Sequence, residues 1–72
     1  MSKFSKSEIK KYTWTIDYIR QELATDRHII ACLGSAGLTF NSDIERFTKF
    51  ASQFGALDIT EEILKYCNFI TL

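Results

Sequence analysis

Proline is absent from this chain, and glycine is confined to Gly34, Gly37 and Gly55. With the commonest helix breaker missing, three glycines and a few capping residues must divide the sequence. Long apolar runs are missing too. The longest, Ile29 to Leu33, falls far short of the about 20 residues that a membrane-spanning helix needs. The opening residues lack the basic, apolar and small-residue succession of a signal peptide. A soluble, cytoplasmic protein with no membrane partner is expected. An excess of charge of one sign is also lacking, because nine Lys and Arg face nine Asp and Glu. This argues against generic electrostatic binding to nucleic acid or anionic lipid.

Metal ligands are equally scarce: one histidine, His28, and two cysteines, Cys32 and Cys67. His28 and Cys32 stand one helical turn apart, but Cys67 is distant in sequence, and no C-x-x-C or second histidine completes a tetrahedral set. No metal and no cofactor are expected. A Cys32 nucleophile with His28 as its base lacks an orienting third group and an oxyanion hole. Gly34-Ser35-Ala36-Gly37 lacks the Lys-Ser/Thr ending of a phosphate-binding loop. The sequence therefore points away from an enzyme, and both cysteines read as packed, reduced thiols.

What the 72 residues do hold is enough apolar side chains, 46% of the total, to fold as one small domain with a single core. A chain this short buries a modest share of its surface, which favours association. Helical patterning dominates. Ser5 and Glu8 form a capping box, with Phe4 placed to pack on Ile9 as a hydrophobic staple. From there Ile9, Tyr12, Ile16, Ile19 and Leu23 recur at spacings of three and four, the stripe of an amphipathic helix reaching about Ala24.

A second, short helix is expected over Arg27 to Ala36, capped by Thr25 or Asp26 and ending near Gly37. The same Ile29 to Leu33 run also reads as a buried strand that could pair with residues 66–72. A connector, Leu38 to Asn41, leads to a second capping box at Ser42 and Glu45. Ile44, Phe47, Phe50, Ala51 and Phe54 then supply a stripe that Gly55 ends. A fourth helix starts at Asp58, with Glu61 three residues on, or at Thr60 between Ile59 and Leu64. Its apolar face is Ile63, Tyr66, Cys67 and Ile70. The expected fold is all-α, one compact domain of four short helices over 1–72, with α+β as the alternative. Phe47, Phe50, Phe54, Ile16 and Leu23 are expected in the core.

Two features stand apart from this scaffold. Lys3, Lys6, Lys10 and Lys11 share the first eleven residues with one acid, Glu8, giving a basic head on an otherwise acidic chain. Trp14 and Tyr18, one turn apart, fall opposite the apolar stripe of the first helix at about 100° per residue. Either that helix is enclosed on all sides, or this aromatic face meets a partner. Trp and Tyr are the types enriched at binding hot spots. Six phenylalanines add to the pressure toward association.

The Ala51 to Gly55 cadence resembles a helix-turn-helix turn. The helix after it, however, carries Asp58, Glu61 and Glu62, which would face phosphates with carboxylates. The expected function is a small protein-interaction module: an adaptor, inhibitor or regulatory subunit that acts by occluding a surface, as a phage or mobile-element protein does against host machinery. Trp14, Tyr18, Lys10 and Lys11 would contact a larger protein or a second copy. The alternative is accessory nucleic-acid binding through Lys3, Lys6, Lys10 and Lys11.

Overall fold

A computed structural model describes residues 3–66. In chain order the elements are α1 (Lys6–Leu23), α2 (Ile29–Ser35), α3 (Asn41–Phe54) and α4 (Leu57–Tyr66). The fold is all-α. Helix α1 packs on α2 and α3, α4 packs on the same two helices, and α1 and α4 also touch. Apolar side chains from all four meet in one core, built around Ile16, Ile19, Ile29, Leu33, Phe47, Ile59 and Ile63. Full burial of each such side chain contributes about 1.5 to 3 kcal/mol.

The first helix begins as its sequence dictates. Glu8 N–H donates to Ser5 Oγ at 3.2 Å, and Ser5 N–H donates to Glu8 Oε1 at 2.9 Å, closing the capping box. Phe4 departs from the expected staple: its ring sits edge-on against Tyr12 and Phe50, while Ile9 stays exposed. Phe4 therefore ties the chain entry to α3. The stripe of α1 is accordingly narrower than its spacing suggests, with Tyr12, Ile16 and Ile19 buried and Leu23 at the core's edge.

Residues 29–33 lie in α2, so the strand alternative fails at that segment; of its expected mate, 66–72, Tyr66 ends α4 and residues 67–72 lie outside the described residues. The cap is His28 rather than Thr25 or Asp26: Ile30 N–H donates to His28 Nδ1 at 3.2 Å. Thr25 and Asp26 serve instead to end α1. Asp26 N–H reaches Leu23 C=O and Arg27 N–H reaches Glu22 C=O, with Asp26 in the left-handed region at φ 65°. This paired closure is a Schellman motif.

The same closure ends α2 at Gly37 (φ 85°) and α3 at Gly55 (φ 90°). In each, the following residue donates back into the helix, Leu38 to Leu33 C=O at 2.9 Å and Ala56 to Ala51 C=O at 2.8 Å. Leu38 and Ala56 are both buried, which anchors the next helix directly beyond the turn. That anchoring moves two helix starts. Helix α3 begins at Asn41 with no side-chain cap, so Ser42 is already helical and the expected Ser42–Glu45 box does not form. In α4, Ala56 C=O accepts from Thr60 N–H at 3.1 Å, placing Asp58 in the first turn rather than at the cap. The carboxylate there is favoured by the helix dipole.

Phe54 corrects another expectation. It is 53% exposed and stacks on Phe50 at 5.5 Å, because it occupies the last turn of α3, where the helix runs past the core. Three threonines are buried instead: Thr15, Thr48 and Thr60. Each hydroxyl donates to the carbonyl four residues back, at 2.8, 2.8 and 3.2 Å, which satisfies the polar atom inside the core.

Candidate interaction face

Helix α1 turns its buried side toward the other three helices and leaves the opposite side open. Trp14 lies on that open side, 59% exposed. Its ring stacks on Tyr18 with centroids 5.3 Å apart and planes within 3° of parallel. The two aromatics make one flat apolar surface, held at its base because Tyr18 is partly buried against the core. Lys10 and Lys11 are exposed one turn toward the N-terminus, and Asp17, Gln21 and Glu22 lie beside and beyond the stack. The structure thus brings Trp14, Tyr18, Lys10 and Lys11 to one stretch of helix.

The acidic end of this face was not singled out in the sequence, where its charges read as an ordinary solvated surface. Glu22 is the more constrained of these acids, with its carboxylate 3.5 Å from Arg27 Nε. The signal that could have found it is its separation of eleven residues from Lys11, which at about 100° per residue returns to nearly the same side of the helix.

The lysines of the nucleic-acid alternative are less concentrated. All four are exposed, but at helical spacing Lys6 and Lys10 lie on one flank of the open side of α1 and Lys11 on the other. Lys3 contributes its carbonyl to Arg46 Nη2 at 2.8 Å. Glu8, the acid among them, is engaged by Arg46 through Nε at 2.6 Å and Nη2 at 3.1 Å, a bidentate pairing with the Arg46 guanidinium over the Phe4 ring. This pairing and the Ser5 N–H hold the Glu8 carboxyl down at about 2.

Elsewhere the chemistry is quiet. Cys32 is a buried free thiol, and burial pushes its titration up, keeping it protonated and poorly nucleophilic. His28 is occupied as a cap, with Tyr66 edge-on at 4.5 Å. Cys67, the third member of the cluster weighed as a metal site, lies outside the described residues. Among the described residues, no three His, Cys, Asp or Glu side chains come together, and no helix is long and apolar enough to cross a membrane. A shallow groove of about 470 Å³ runs between α3 and α4, lined by Glu45, Thr48, Lys49, Ser52, Thr60 and Leu64. Of its polar groups, the Thr48 and Thr60 hydroxyls already donate within their own helices. Comparison with protein-family profiles, curated proteins and solved structures finds no match for this chain.

Proposed function

We propose that the chain is a small protein-interaction module without catalytic chemistry of its own. It acts by covering a protein surface, as an adaptor, inhibitor or regulatory subunit does, with Trp14 and Tyr18 as anchors and Lys10 and Lys11 at the rim. The observation that carries this reading is the exposed Trp14–Tyr18 stack on the side of α1 away from the core. Two large aromatics preorganised against each other lose little side-chain freedom on binding, and each contributes about 2 kcal/mol or more when desolvated at an interface centre. The lysines at the edge govern mainly the association rate and its salt response.

Trp14→Ala tests it by separating stability from binding. Removing an exposed ring leaves the melting temperature nearly unchanged, while retention of the partner protein in pull-downs from the native host, or self-association, falls at least about tenfold, the equivalent of 1.4 kcal/mol. Equal retention by a folded Trp14→Ala protein removes the face from the reading.

A further inference from the structure

Resting on the reading of the Trp14–Tyr18 face as a binding surface, we infer that its occupant is a second copy of this chain, with the two α1 helices packed antiparallel across a twofold axis. The argument is the order of charges along the helix. From N- to C-terminus the open side of α1 presents Lys10 and Lys11, then Trp14 and Tyr18, then Gln21, with the partly buried Glu22 at its margin. Lysines at one end, an acid at the other and aromatics between make a surface complementary to itself when one copy is reversed.

The register is specific. Lys11 and Glu22 lie on one flank of the aromatic pair, and Lys10 and Gln21 on the other, since eleven residues bring a side chain back to within about 20° on a helix. The midpoint between Lys11 and Glu22 falls half a residue from that between Trp14 and Tyr18, less than about 1 Å along the axis. A single twofold axis therefore sets Trp14 against Tyr18 of the second copy and Lys11 against its Glu22, each contact made twice. Each flank stays on its own side under this rotation, so Lys10 meets Gln21, with Asp17 about one turn further on. A parallel pairing exchanges the flanks and would instead set Lys11 against Lys10 of the second copy, leaving Glu22 facing Gln21 with no cation opposite, which is unfavourable.

The lysines carry no acidic partner of their own among the described residues, although Lys11 Nζ rests 6.0 Å from the centre of the Tyr12 ring and must swing outward to reach a second copy. Within the chain, Arg20 pairs with Asp58, Arg46 with Glu8 and Arg27 with Glu22, and among the described residues neither Lys10 nor Lys11 has an acidic partner. The Arg27–Glu22 contact, at 3.5 Å, is long for an ion pair, and although Glu22 is partly buried Arg27 is mostly exposed, so Glu22 can take Lys11 of a second copy as an additional partner.

Sedimentation of the full chain over about 10 to 500 µM, a range that brackets micromolar dissociation, provides the test. The unmodified protein is expected to dimerise reversibly. Lys11→Glu and Glu22→Lys, each verified as helical by circular dichroism, are each expected to raise the dissociation constant at least about tenfold, because each sets like charges against each other twice. Their equimolar mixture is the decisive sample. One partner then carries two glutamates and the other two lysines, both contacts become attractive, and a one-to-one heterodimer should form. The double variant Lys11→Glu/Glu22→Lys should likewise regain the homodimer. A mixture that stays as monomeric as its components overturns the antiparallel register. A monomeric parent protein across the whole range overturns self-association, while Trp14-dependent capture of another protein would leave the interaction reading standing. A dimer that Trp14→Ala does not weaken defeats both.

Discussion

Side chains of one type part company according to where their helices run. Phe47 and Phe54 are seven residues apart on one stripe, yet Phe47 is fully enclosed and Phe54 more than half exposed. Phe47→Ala is therefore expected to destabilise by about 3 to 5 kcal/mol, and Phe54→Ala by less than about 1 kcal/mol, the range of surface changes. Urea titrations of both variants check the contrast. Glu8 belongs to the same scale. Its carboxyl titrates at about 2 in the folded chain against an ordinary 4.5, chiefly because Arg46 hydrogen-bonds the charged form. A depressed folded value means that this stabilisation is complete above about 4.5 and drains away as the pH falls toward about 2. Asp58, lowered by Arg20, acts in the same direction. The melting temperature should fall through this window, and less steeply in Glu8→Gln, which has no proton to gain there.

Helix boundaries show where local sequence suffices and where it does not. The Ser5–Glu8 box was legible because both of its hydrogen bonds lie within four residues. The identical spacing at Ser42 and Glu45 forms no box, because α3 already begins at Asn41 beyond Phe40 and Ser42 lies inside the helix. His28 as a cap was not legible, since imidazole is an uncommon choice for that role. The left-handed closures follow glycine at two of three sites and use Asp26 at the third. Asp26→Gly is accordingly expected to stabilise by about 0.5 to 1 kcal/mol, and Gly55→Ala to destabilise by about 1 to 2 kcal/mol. Beyond Gly55 and its two chain neighbours, no heavy atom lies within 4 Å of a methyl group placed there, so that loss is one of backbone conformation. Thermal melts of the two variants should move in opposite directions.

The whole molecule was legible as a class before it was legible as an arrangement. Capping and three-four spacing imply four helices, but which faces meet depends on contacts distant in the chain. The Trp14–Tyr18 face could be placed opposite the stripe from spacing alone, whereas choosing between an enclosed α1 and an open one required the packing of the other three helices. Helices α3 and α4 are joined by Gly55 and Ala56 alone, so their contacts form between near neighbours in sequence. The Arg46–Glu8 pair, by contrast, joins positions 38 residues apart. That difference in span has a kinetic meaning. The early barrier to folding is expected to be crossed with the α3–α4 hairpin assembled and the α1 end still free, because local contacts form before long loops close. Cutting the Arg46 clasp with Glu8→Gln should then leave the folding arm of a chevron plot nearly in place and raise the unfolding arm. With that outcome, the clasp would govern how long the native state lasts more than how quickly it is reached.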